Sequence, residues 1–141
     1  MINATVHIAL AEALLVATEQ STGSEKSKSM RDAQLACGKA LKGAKAYARY
    51  YVPEAMRHRG AYEWLAAKPS AAQKWWMRSL SLANETDMRY QSGMTYLEMG
   101  KRLNDYEHLK HAEAIFAEIG AEFDLAETER LLQPLGERKG A

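Results

Sequence analysis

The stretches PEAMRHRGAYEWLAAKPSAAQKWWMRSLSLA (residues 53–83) and MRYQSGMTYLEMGKRLNDYEHLKHAEAIFAEIG (residues 88–120) decide the fold. Each reads as two amphipathic helices joined by a short turn. In each, the first helix carries internal glycine, Gly60 in one and Gly93 with Gly100 in the other. The second helix carries an alanine followed four positions later by an aromatic ring, so that Ala72 and Trp76 answer to Ala112 and Phe116 at a spacing of 40. Glycine inside a helix costs about 1 kcal/mol relative to alanine, which points to close approach by a neighbouring helix as compensation. Small residues let paired helices touch, and the ring fills the gap to the next pair. That is the packing logic of a helical array, in which one hairpin cannot bury its apolar face alone.

Working outward, apolar residues recur at helical spacing in most of the remaining chain. Val6, Leu10, Ala13, Leu14 and Ala17 share one face of a helix over about 3–18. The stretch QSTGSEKSKS (20–29) has no period and is expected to be a flexible link. Met30, Ala33, Cys37, Leu41, Ala44, Ala48 and Tyr51 define a second helix, stopped by Pro53. A third helix over 54–66 follows that proline. A fourth, over 71–84, takes Ser70 as its cap, and its inner face holds Ala72, one of the adjacent pair Trp75 and Trp76, Ser79, Leu80 and Ala83. Thr86 is the expected cap of a fifth helix ending near 103, on which Tyr90, Gly93, Leu97 and Gly100 share a face. The sixth starts near Asp105, carries Ala112, Ile115, Phe116 and Ile119, and closes at Gly120 as a left-handed residue. The seventh, about 122–133, ends at Pro134.

Short connections between helices imply antiparallel neighbours. The expected fold is therefore all-α: about seven helices as antiparallel hairpins in a right-handed superhelix, one domain over 1–135 with a disordered tail at 136–141. The spacing of 40 exceeds the usual tetratricopeptide period of about 34, and the KRLNDYE connection with longer helices accounts for the excess. Composition agrees, with three Pro and nine Gly in 141 residues and helix-forming types dominating. A single cysteine, Cys37, excludes an internal disulfide and fits a reducing compartment, so the cytoplasm is the expected location. The first helix lacks the basic flank and cleavage site of a signal peptide, and no apolar run is long enough to span a membrane.

Five fragments carry a resemblance: ALAEALL (9–15), RHRGAYEWL (57–65), AAQKWWMRSLSLA (71–83), MRYQSGMTYLEMGKRL (88–103) and AEAIFAEIGAEFDLAETERLL (112–132). In this order they resemble the tetratricopeptide-like C-terminal region of large bacterial signalling proteins. Those proteins fuse a class III nucleotide cyclase or a protein kinase to a P-loop ATPase and then to helical repeats. The resemblance implies a contact platform in signal transduction. It transfers no catalytic residue, because the chain holds no GxxxxGK[ST] loop and opens at Met1 within the first repeat helix. It implies either a free-standing repeat adaptor or the separately encoded end of such a protein.

The residues offer few chemical centres. His108 and His111 with Glu107 are the nearest approach to a metal cluster, but no cysteine or third histidine joins them. His108 falls at the edge of the Ala112, Ile115 and Ile119 stripe, so packing or surface roles are expected. Cys37 lies on an apolar face without a basic partner at a telling spacing. No catalytic residue, cofactor or metal is expected. Charge is more informative. Net charge is +1, yet residues 1–83 carry 12 Lys/Arg against 6 Asp/Glu and residues 84–141 carry 7 against 12. Lys39, Lys42, Lys45 and Arg49 fall on one side of the second helix, beside a dense aromatic group of Tyr47, Tyr50, Tyr51, Tyr62, Trp64, Trp75 and Trp76. Most of that group is expected in the core between hairpins.

The interaction surface is therefore expected at Lys39, Lys42, Lys45, Arg49, Tyr50 and Trp75. Its partner is expected to be a protein or peptide of acidic character. Nucleic-acid readers bring a stronger basic balance. The apolar Val6, Ile8, Leu10, Leu14 and Leu15 call for a cover at that end, such as a second copy pairing through the first helix to give a homodimer. A small effector held in the helical groove near the tyrosines is the alternative function.

Overall fold

The computed structural model describes residues 3–139. Seven α-helices run through them: α1 (Ala4–Gln20), α2 (Gly23–Tyr47), α3 (Val52–Leu65), α4 (Pro69–Glu85), α5 (Arg89–Leu103), α6 (Tyr106–Ile119) and α7 (Glu122–Lys139). A 3-10 turn, Arg49–Tyr51, joins α2 to α3. Packing is sequential, α1 on α2, α2 on α3, α5 on α6 and α6 on α7, with α1 also against α3. The all-α reading holds. Within the stretch read as one domain over 1–135, the chain divides into two compact units, Met1–Ser79 and Leu80–Ala141, with the division inside α4. No helix among the described residues is long and apolar enough to cross a membrane.

In the first unit, α2 presents a stripe of small residues, with Ala33, Ala36, Cys37, Ala40 and Ala44 almost wholly buried. Such a stripe lets α1 lie close, its Ala11 and Leu15 joined to Ala33, Cys37, Ala61 and Tyr62 in one cluster. Between α3 and α4 the approach is closer still. Trp76 is 0% exposed, and a Cβ added to Gly60 would lie 2.3 Å from its Nε1 and 2.4 Å from its Cδ1. The buried Ser79 hydroxyl donates to the Pro53 carbonyl at 2.7 Å, a second tie between the two helices. The second unit repeats the device. A Cβ on Gly93 would meet Phe116 Cε1 at 2.6 Å, and one on Gly100 would meet Leu109 Cγ at 2.6 Å. Leu97, Leu109, Ala112, Phe116 and Leu132 form the core there.

The four helix ends from α3 to α6 use one stop. Ala67, Asp87, Asn104 and Gly120 all have positive φ, 61°, 54°, 51° and 74°. After each, the next N–H reaches back to a carbonyl five residues earlier: Lys68 to Glu63, Met88 to Ala83, Asp105 to Gly100 and Ala121 to Phe116. This left-handed closure satisfies carbonyls that a helix end leaves open. Gly120 ends α6 as its sequence requires, and Asp105 caps that helix by accepting from the His108 N–H at 2.9 Å.

Several boundaries depart from the sequence reading. The link expected over 20–29 is helical from Gly23 onward. Residues 23–28 are all exposed, so they show no apolar period, and they continue a helix anchored farther along by its buried face. Ser70 lies inside α4, which begins at Pro69. Thr86 does not cap α5; its hydroxyl donates back to the Leu82 carbonyl at 2.7 Å. Pro134 sits within α7 and does not end it. The carbonyl that loses its helical partner there belongs to Arg130, an exposed residue, so the break falls on the solvent side of the helix. The tail expected at 136–141 is thus helical to Lys139, while Gly140 and Ala141, like Ile2, lie outside the described residues.

Glycine 38 provides a contrast with Gly60, since a Cβ there would meet nothing within 4 Å. Gly38→Ala should raise stability by about 0.5–1 kcal/mol through helix propensity alone. Gly60→Ala should lower it by about 2 kcal/mol or more, because the buried indole has nowhere to move. Urea unfolding followed by circular dichroism measures both, and equal effects at the two positions would contradict this account of the packing. Ala67→Gly should stabilise by about 0.5–1 kcal/mol by relieving a left-handed alanine.

Candidate functional site

Three arrangements in the first unit bring polar chemistry to defined places. The first is the outer surface of α1 and α2. Lys39, Lys42 and Lys45 are exposed along α2, and Arg49 and Tyr50 are exposed on the 3-10 turn beyond it. Beside this row lies a groove of about 380 Å³ between α1 and α2, lined by His7, Leu10 and Leu14 from one helix and Asp32, Leu35 and Lys39 from the other. Leu35 is 64% exposed and Leu10 47%, with Val6 and Val16 exposed along the same helix as Leu10. His7 Nδ1 is buried without a hydrogen-bond partner. Of the expected interaction residues, Lys39 is the one that lines this groove.

The second is an aromatic and guanidinium cluster on α3 and α4. Trp76 is the ring of the adjacent pair that enters the core, stacked obliquely on Trp64 at 6.0 Å. Trp75 stays half-buried, with the Arg78 guanidinium 5.0 Å and the Arg59 guanidinium 5.8 Å from its centroid. Arg59 also pairs with the buried Glu63 at 3.0 Å and lies 5.4 Å from the Tyr62 ring. Trp75 therefore belongs to this cluster, with two guanidinium groups in cation–π range of its ring. The expectation that most of the aromatic group is core holds for Tyr62 and Trp76 and fails for Tyr47 and Tyr50, which are 80% and 66% exposed. Tyr47 ends α2 and Tyr50 lies on the 3-10 turn after Ala48, which leaves helical geometry at φ −149°, ψ 66° and breaks the face projected from Met30 to Tyr51 before its last turn.

The third arrangement was not foreseen. Glu12 of α1 and Glu54 with His58 of α3 bring one ligand atom each to within 4.8 Å of one another. Glu54 and His58 are four apart and share a helix face, with His58 Nε2 3.7 Å from Glu54 Oε1. The imidazole beside it holds the Glu54 carboxyl below its ordinary value, and Arg57 adds to the effect. The Glu-x-x-x-His spacing was visible in the sequence; the third residue, 42 positions from Glu54, becomes a neighbour only when α1 packs on α3.

The histidine pair of the second unit has a different setting. His111 stacks on the Tyr96 ring at 4.9 Å and His108 lies 6.0 Å from the same ring, so both are aromatic partners of α5. Cys37 is wholly buried, its thiol 3.7 Å from the His58 carbonyl. Burial pushes the thiol from 9.0 up to about 12. Between those values the folded chain keeps a proton that the unfolded chain loses, so this group's stabilising contribution is complete below pH 9 and declines from there toward 12. Cys37 in the native chain should resist a thiol reagent at pH 8 and react fully in denaturant; rapid native labelling would show an open route to the core.

No family model, curated protein or solved structure matches this chain.

Proposed function

We propose that this chain is a protein-interaction module of the tetratricopeptide-like kind, acting in a signalling or regulatory system without catalysis of its own. On this reading its hairpins stack as a right-handed superhelix, as the sequence resemblance implies. The observation that carries the proposal is the α1/α2 groove. Exposed Leu10 and Leu35 flank it, and Lys39 at its edge leads into the cationic row of Lys42 and Lys45. Apolar side chains at helical spacing beside a run of cations suit an amphipathic segment with acidic flanks.

The chain carries a segment of that chemistry. Glu118, Ile119, Glu122 and Phe123 are all exposed around the turn from α6 to α7, Phe123 at 85%. A second copy is accordingly the first partner to examine, by head-to-tail pairing. A small apolar effector is the second reading, since a groove of 380 Å³ falls in the range of ligand sites, about 300–1,000 Å³.

Sedimentation of the intact chain, with a photo-crosslinking residue at position 35, tests the proposal. Expected are crosslinks to an acidic apolar protein segment, weakened by salt and lost in Lys39→Glu with Lys42→Glu. A monomer at all concentrations, with position 35 uncrosslinked in cell extract, would end this reading. A thermal shift with small metabolites under those conditions would favour the effector.

A further inference from the structure

We infer that Glu12, Glu54 and His58 form a binding site for a first-row divalent ion of the zinc class, joining α1 to α3. Three potential ligand atoms from two helices converge within 4.8 Å. The second observation is independent of that convergence. His58 is 4% exposed, and its Nε2 is buried with no hydrogen-bond partner, directed toward Glu54 at 3.7 Å. That distance exceeds a hydrogen bond, so this nitrogen is uncommitted to any protein group where the two carboxylates meet it.

The donor set selects the ion. Two carboxylate oxygens and one imidazole are harder than a thiolate set and softer than the all-oxygen cage of calcium or magnesium. Two carboxylates balance the charge of a divalent cation. A tetrahedral zinc with bonds of about 2.0–2.1 Å places its ligand atoms roughly 3.3 Å apart. The His58 Nε2–Glu54 Oε1 separation of 3.7 Å is slightly larger and closes by a small turn of the Glu54 carboxylate, while Glu12, exposed on α1, brings the third ligand from the other helix. His58 is held by packing and Glu54 by its helix, so the site has two positioned ligands and one on an exposed side chain. Three protein ligands leave a fourth position for water.

The consequence lies in α1. The helix that supplies Glu12 also supplies Leu10 and Leu14 to the groove, so an ion joining α1 to α3 fixes one wall of that surface.

The experiment uses the full chain freed of metal by chelation and titrated with zinc chloride, followed by calorimetry and thermal unfolding. Cobalt chloride serves as the optical probe. One equivalent should bind with a micromolar dissociation constant, raise the melting temperature by roughly 5–10 °C at saturating zinc, and give cobalt a tetrahedral visible spectrum. Glu12→Gln, at an exposed position that leaves folding intact, should weaken binding at least about tenfold, as should Glu54→Gln. His111→Ala should leave binding unchanged. Absence of binding below millimolar zinc would overturn the inference. So would wild-type affinity in Glu12→Gln, or loss of binding in His111→Ala, which would place the ion at the histidine pair of α6.

Discussion

The approach of helix backbone to a buried ring, Gly60 against Trp76 and Gly93 against Phe116, is the constraint on which the rest depends. A helix with a side chain at either glycine could not lie where α3 and α5 lie. The cost of glycine in a helix, about 1 kcal/mol, is offset by the burial of a large ring that a looser interface would leave partly wet. Truncating such a ring typically costs about 3–5 kcal/mol, so the exchange favours the close approach. The partner helix must place its ring at one height, which in turn fixes its register. In the first unit the Ser79 hydroxyl on the Pro53 carbonyl holds the same register.

Alanine serves the pairing of α1 with α2 as glycine serves α3 with α4. The buried faces of both kinds are small, so the outward faces keep their long side chains. This explains why a chain of ordinary composition leaves Leu10, Leu35 and Phe123 at its surface. Those residues are not needed by the core and have apolar area to offer a partner.

Electrostatics sorts these surfaces further. Arg59 is committed to Glu63 and to two rings, whereas Lys39, Lys42 and Lys45 stand in solvent. A cation already held by a buried carboxylate has little to give a partner, and one in solvent can steer association at long range. Glu12, Glu54 and His58 differ from both groups. Their polar atoms converge without completing a hydrogen-bonded network, and the buried His58 Nε2 is left without a partner.

What the sequence determined by itself were the helices and most of their inner faces, because apolar period, glycine and Ala-x-x-x-aromatic steps are local signals. The exception is α1, where the face read through Val6 and Leu10 is exposed and Ile8, Ala11 and Leu15 are buried instead. Ala72, Ala112 and Phe116 are buried as their spacing predicts, and Gly120 and Asp105 close and open α6. Exposed helix is nearly silent in sequence, which is why residues 23–29 read as a link and Pro134 as an end. The choice between Trp75 and Trp76 also lay with the fold, since both fit a helix face and Gly60 has space beside one. The metal-type cluster was decided by tertiary structure almost alone. Glu54 and His58 share a helix, but Glu12 joins them only through the packing of α1 on α3, and no spacing along the chain encodes that meeting.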